Sequence, residues 1–313
     1  MLRGFMDHVK WFADPAPFPT RYDLLFTLPV LAALALALAA VGVAAVIQLR
    51  FPEPRVAKIL ERFARVAPTV LGIHLGVALL VAAIVGLLFV PSLQIPSDNA
   101  FGFAILTVEA MCGLMILFGV ATRAGAVLLA ILGVVAMVPF TFESILEQAH
   151  ILGIAAFLFL VGRGPISLDR VRGVQPPIRH PEIPRAALTL LRVAMGFGIF
   201  YGALTEKLLN SGLSDALVQA RPWLNVARPF GIADGLFVFL AGLTELAIGA
   251  VIMSGQLTRP VIAAGAVLFT VSVPFFGWSE LLGHLPYYGI MFTLLIAPNA
   301  DSWRVRQALR ADS

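Results

Sequence analysis

Leu24 to Leu49 is a run of 26 residues without one charge. As a helix it would extend about 39 Å at 1.5 Å per residue, more than the roughly 30 Å hydrocarbon core of a bilayer. A chain segment in lipid must satisfy its backbone polar groups internally, and runs of this length select the helical solution over a barrel. Eight further apolar runs follow: Ala67–Val90, Ala100–Val120, Ala124–Phe142, Ser144–Val161, Ala186–Thr205, Gly235–Ser254, Pro260–Gly277 and Leu281–Ala297. The expected fold class is therefore all-α integral membrane, with nine transmembrane helices. Only 13% of the 313 residues are charged and 59% are hydrophobic, against about one-quarter charged in soluble domains. A soluble enzyme is excluded. Asp7, Asp14 and Asp23 lie ahead of the first run, which does not suit a cleaved signal peptide, so that run reads as an uncleaved span.

The 22 Lys and Arg against 18 Asp and Glu leave a net charge of +4, too thin and scattered for nucleic-acid binding. Fifteen of the 22 fall on one side of the nine spans and six on the other, with Arg192 inside a span. The positive-inside rule puts the C-terminus inside and the N-terminus outside, in a bacterial cytoplasmic (inner) membrane. Between the first two spans, Val56, Ile59, Leu60, Phe63 and Val66 form an apolar stripe with Arg55, Lys58, Arg62 and Arg65 off it. That pattern fits a short interfacial helix and equally fits ordinary flanking charge. Cys112, the single cysteine, rules out an internal disulfide and any cysteine-built metal centre, and reads as a packed small hydrophobe.

The chain repeats itself. Glu109–Arg123, "EAMCGLMILFGVATR", overlays Glu245–Arg259, "ELAIGAVIMSGQLTR", at an offset of 136 with six identities in fifteen positions, where chance supplies about one. Further on, Val138-Pro139-Phe140 matches Val273-Pro274-Phe275, each followed by a histidine, His150 or His284. Upstream, an offset of 118 lays His74 over Arg192. The proline-rich linker Gly173–Arg185 separates the copies. Four spans per copy insert with the same orientation, so the expected architecture is 1 + 4 + 4, two tandem parallel four-helix bundles after one extra helix. The boundaries are 1–66 for the N-terminal segment, 67–172 for the first unit and 185–303 for the second.

These segments resemble the DoxX-like membrane proteins, a family of four-helix bundles. The first unit carries the Glu109–Arg123 segment and the ending "GRGPISLDR", Gly162 to Arg170, similar to the family's Gly-x-Gly-x-x-Ser-Leu-Asp. The second carries the opening Arg192, then Gly202 and Lys207, and the Glu245–Arg259 segment. The first unit has His74 for the opening arginine and Phe89 near the lysine position, and the second ends in "APNADSWR" without Ser-Leu-Asp. Relatives of this kind include proteins of thiosulfate:quinone oxidoreduction and of oxidative-stress complexes, along with chaperones and cargo receptors. The resemblance implies membrane or periplasmic protein partners in a redox complex, and a quinone as the candidate cofactor.

Two clusters of residues could carry chemistry. Glu109 and Glu245 lie about 15 Å along the helix from their inside turns, near mid-membrane, where a carboxyl must be paired or carry a proton. They read as proton-carrying or quinone-contacting acids, or as neutral groups bonding across helices. Arg192 is a candidate partner for Glu245, and His74 reads as a core histidine. At the outer end, Glu143, Glu147 and His150 share one helix face, and His284 and Glu280 stand at the corresponding place in the second unit. A di-iron pattern would need Glu109 and Glu245 as well, and these lie too deep, so no metal site is expected. His150 and His284 could ligate a haem only with rings facing across a bundle, or meet a quinone head group near the outer surface; they read first as two interfacial histidines, and a haem is not expected. Tyr287, Tyr288 and Trp278 read as an interfacial aromatic belt. No catalytic motif is present. Three classes of function stay open: an accessory subunit of a respiratory or other redox assembly meeting quinone near the outer leaflet, a structural or assembly protein, and a small-molecule transporter.

Overall fold

The computed structural model describes residues 9–51, 55–174 and 183–297. Every regular element among them is helical: α1 (Leu28–Arg50), α2 (Arg55–Leu60), α3 (Ala67–Ile84), α4 (Ala100–Phe118), α5 (Thr122–Val135), α6 (Phe142–Leu146), α7 (Ala149–Val161), α8 (Leu168–Val171), α9 (Arg185–Ala203), α10 (Ser211–Ala220), α11 (Asp234–Ser254), α12 (Thr258–Phe276) and α13 (Trp278–Ile296). Six are long and apolar enough to cross a membrane: α1, the continuous Val56–Ile84 run from α2 into α3, α4, α9 with its π-helical extension to Leu208, α11 and α12. The chain is thus an all-helical protein with the helices of a multi-pass membrane protein.

Three sequence expectations change here. The run Ala67–Val90 leaves the helix at Ile84, because Gly86 and Phe89 take left-handed backbone with φ of 77° and 66° and Pro91 follows. The fourth and fifth predicted spans contain regular helices of only 14 and 13 residues, about 21 and 20 Å long, and each run reaches its full length only with the turns and the short helix α6 between them. The charged stretch after Phe51 is a short helix and a 3-10 turn that run directly into α3, with Val56, Ile59 and Phe63 exposed. The residues 175–182 of the linker and the segment from 298 onward lie outside the described residues.

The helices form two sets of four. In the first, α3 packs on α4, α4 on α5, α5 on α7 and α7 on α3; in the second, α9, α11, α12 and α13 repeat that ring. The two sets meet reciprocally, α13 along α3 and α7 along α9, the pattern that a two-fold relation between copies produces. Helix α1 lies outside both and packs on α11.

Glycine pairs set the closest contacts and the register. A Cβ on Gly113 would lie 3.1 Å from the Gly76 carbonyl, and one on Gly249 would lie 2.6 Å from the Gly196 carbonyl. The structural register between α3 and α9 is therefore 120, not 118. His74 corresponds to Ala194 and not to Arg192. Similarly, Gly153 faces Ala194 while Gly289 faces His74, so α7 and α13 correspond at 136, and His150 and His284 are two residues out of register.

Both copies turn identically at the end of their second helix. Gly119 and Gly255 have φ of 67° and 76°, and two residues on, Ala121 and Leu257 both have φ of 46°. A non-glycine residue held there is strained by about 1–2 kcal/mol, so something must hold it. In the first copy the Asp169 carboxylate accepts the Ala121 N–H at 2.6 Å and the Thr122 N–H at 3.0 Å. The second copy lacks that Ser-Leu-Asp ending, and Gln48 of α1 supplies the acceptor instead, 2.6 Å from the Leu257 nitrogen. The extra helix thus completes the second copy's turn. Gln48→Ala is expected to lower stability by about 1–3 kcal/mol, by leaving a part-buried N–H without its acceptor. Thermal unfolding in detergent measures this; a melting curve superimposable on that of the parent would contradict it.

Candidate functional site

Inside the second set lies a cavity of about 270 Å³, near the lower end for small-molecule sites. Its walls are mostly apolar: Met195 and Ile199 from α9, Ile248 and Ile252 from α11, Ile262 and Phe269 from α12. Polar groups gather toward one end, where Glu206, Lys207, Glu245, His284 and Tyr287 line it. This is termed the Lys10 end, after the residue that crosses it.

Glu245 forms an ion pair with Lys207. Lys207 reaches it because the π-helical turn Leu204–Leu208 continues α9 past Ala203 and packs against α11 at Gly242. Glu109, the equivalent acid, is met differently. The loop after α3 folds back into the first set, and the Phe89 backbone N–H donates to Glu109 Oε1 at 2.7 Å, while Oε2 has no hydrogen-bond partner. Phe89 stands where the second copy has its lysine, and its backbone replaces the missing ammonium. Leu88, Phe89 and Val90 are buried and take up that space. In one copy a buried loop meets the acid, and in the other a lysine does, beside a cavity.

Arg192 does not pair with Glu245. Its guanidinium packs on Gly255, where a Cβ would fall 1.3 Å from a terminal nitrogen; ten residues of helix, about 15 Å, separate that point from Glu245. Arg163 occupies the matching turn of the first copy, donating to the Ile116 and Leu117 carbonyls at 2.7 and 3.0 Å. Each copy thus has an arginine at the end of its second helix, Arg163 from the loop after α7 in the first and Arg192 from α9 in the second. His74 is half-buried, with Nδ1 2.8 Å from the Val70 carbonyl.

At the Lys10 end the chain before α1 crosses the helix ends. Val9 N–H donates to Glu206 at 2.6 Å. Lys10 bonds Glu147 at 2.5 Å and Glu143 at 2.7 Å, and Thr205 and Thr20 donate to the same two carboxylates. Tyr22 also donates to Glu143. Burial works against the Lys10 charge, yet Glu147, Glu206 and Glu143 more than offset it and raise its pKa. Burial likewise acts to raise Glu143, but the bonds from Lys10 and Tyr22 outweigh it and leave its pKa lowered.

The sign of the pH dependence follows. A lowered carboxyl contributes stability above its ordinary value of 4.5 and loses it as pH falls through the lowered one. A raised amine contributes below 10.5 and loses it as pH climbs through the raised one. Hydrogen-exchange protection of the segment from Val9 to Phe18 is expected to stay flat from about pH 5 to 9 and to drop on strong acidification. A loss centred between about pH 6 and 8 would contradict control by these carboxylates and Lys10.

Both histidines are buried within the protein. His150 stacks on Tyr287 with centroids 4.1 Å apart; His284 stacks on Phe269 at 4.1 Å and meets Trp11 at 5.3 Å. Tyr287 is fully buried and belongs to this core, not to an aromatic belt. Glu280 accepts from Ser272 at 2.6 Å and lies 3.5 Å from His284 Nδ1. Among the described residues, no three His, Cys, Asp or Glu side chains converge as a metal site requires. Sequence reasoning singled out Glu245 and His284 but missed Lys10, Trp11 and Glu206. The adjacent Glu206 and Lys207 between apolar neighbours were the readable signal; Lys10 gave none.

Comparison of the chain with protein-family models, with curated proteins and with solved structures finds no match.

Proposed function

We propose that the chain is a quinone-binding subunit of a membrane redox assembly, built as nine spans in a 1 + 4 + 4 arrangement of the DoxX-like kind. In this reading the protein lies in a bacterial cytoplasmic membrane with its N-terminus and the Lys10 end outside. The observation that carries it is the cavity of the second set, apolar along most of its length and polar at one end. A quinone is a flat polar ring on an apolar tail, and it suits such a site. Phe269 offers a flat wall, Lys207 and Tyr287 can donate to ring carbonyls, and Glu206 and Glu245 can accept from the hydroxyls of the reduced form. The electron-exchanging partner would be a membrane or periplasmic subunit.

The test is binding. Trp11 touches His284, so titrating the delipidated protein with a short-chain quinone is expected to quench tryptophan fluorescence with saturation. Gly265 lies in the cavity wall with only the Met291 methyl, 3.7 Å away, near a Cβ. Gly265→Leu is therefore expected to fill the cavity, leave thermal unfolding near that of the parent and weaken binding at least tenfold, about 1.4 kcal/mol. Absence of saturable quenching in the parent, or equal binding by Gly265→Leu, refutes the reading. Accumulation of a water-soluble solute by proteoliposomes would favour the transporter class.

A further inference from the structure

We propose that this cavity exchanges its ligand with the bilayer through the seam between α11 and α12, and that Val9–Trp11 is a fixed roof closing it at the Lys10 end. The proposal rests on the quinone-site reading and adds the route, and with it the class of ligand: an amphiphile dissolved in the lipid phase.

The roof is tied to the cavity's own lining. Val9 and Trp11 are buried, Val9 bonds Glu206, and Trp11 lies on His284 and over Gly283, where a Cβ would come within 2.2 Å of its ring. Lys10, between them, holds Glu147 and Glu143. Behind the roof the chain is fastened again, Arg21 N–H to the Leu209 carbonyl at 2.8 Å and Asn210 to the Phe18 carbonyl at 2.6 Å. The far end is equally shut. Met195, Ile252, Ile262 and Met291 are buried there, and Arg192 packs on the Gly255 turn beyond them.

Exposure of the lining is greatest along one side. Leu268 of α12 is 59% exposed, and the Glu245 side chain on α11 is 35% exposed although it lines the cavity. Helices α11 and α12 touch each other less than their counterparts α4 and α5. A carboxylate at a lipid-facing seam is costly unless something polar meets it. Lys207 supplies part of that, and the polar head of a ligand passing or seated at the seam supplies more.

Two measurements decide the route. In nanodiscs of phosphatidylcholine, a series of quinones with one ring and lengthening tails is expected to associate with rate constants that agree within about threefold on the scale of mole fraction in the bilayer. On the scale of total aqueous concentration the same constants spread in step with partitioning. By stopped-flow fluorescence, Leu268→Trp is expected to slow association and dissociation together, at least fivefold. Constants that agree on the aqueous scale, or rates within twofold of the parent in Leu268→Trp, would overturn the lateral route. If the parent binds no quinone in either medium, the quinone-site reading itself fails and the route with it. Should Leu268→Trp not fold, the tail-length series on the parent protein still decides.

Discussion

Gly249→Leu is expected to prevent the second set of helices from assembling. A Cβ at that position would lie 2.6 Å from the Gly196 carbonyl, 2.7 Å from the Phe200 nitrogen and 2.8 Å from the Phe200 Cβ. Two of those three atoms are backbone, so relief requires α9 and α11 to move apart along their whole contact, and the Lys207–Glu245 pair spans the same two helices. Overpacking of well-packed sites costs about 1–3 kcal/mol and more where backbone is the obstacle. The expectation is a loss of at least about 3 kcal/mol, seen as aggregation in detergent or a large fall in melting temperature. Gly113→Leu should be milder, because its backbone neighbours, the Gly76 carbonyl and the Leu80 nitrogen, stand back at 3.1 Å and the nearer atom, the Leu80 Cγ at 2.9 Å, belongs to a side chain that can rotate away. Gly42→Leu, with nothing within 4 Å, should stay within about 0.5 kcal/mol of the parent. Equal behaviour of all three variants would show that close helix approach does not set the packing.

Lys10→Met should release the N-terminal segment without unfolding the helices. The Lys10 side chain is 9% exposed and that of Glu147 2%, and removing one member of a buried pair costs about 3–5 kcal/mol because the other charge is left uncompensated. Here the loss has an outlet. Once the segment lifts, Glu143 and Glu147 can hydrate, so the penalty is capped at the free energy with which the segment is held. Limited proteolysis is expected to cut between Val9 and Thr20 in the variant and not in the parent, while the main thermal transition moves little. Adding Glu147→Gln should restore protection in part, with a coupling of about 1 kcal/mol or more in a double-mutant cycle. Unaltered proteolysis in Lys10→Met would mean that Val9, Trp11, Thr20 and Tyr22 hold the segment without the ion pairs.

The sequence made some parts of this protein legible because they are local. Uncharged runs such as Leu24–Leu49 show helices directly, since apolar length is a property of the segment alone. The repeated Glu109–Arg123 and Glu245–Arg259 segments showed the duplication, and the turn they share has the same backbone angles in both copies. Helix ends were misjudged where hydropathy continues past the geometry: Leu88, Phe89 and Val90 are as apolar as a span, yet they fold back as a buried loop. The pairing of His150 with His284 through the shared Val-Pro-Phe letters was two residues out of register. Contacts between helices fix register, and the nearest matching letters do not.

By itself, then, the sequence determined that the chain is an all-helical protein with the helices of a multi-pass membrane protein, that it contains a duplicated unit, and that Glu109 and Glu245 are the acids to explain. Burial in lipid and backbone satisfaction act within each segment, so composition along the chain suffices for them. Only the tertiary structure decided that α13 of one set lies along α3 of the other and α7 along α9, that Gln48 completes a turn 209 residues away, and that the Phe89 backbone meets the acid of one copy while Lys207 meets it beside a cavity in the other. Those outcomes depend on which surfaces meet across long separations, and the same residues read locally, a glutamine at a helix end or a lysine after an apolar run, carry no mark of the partner they will find.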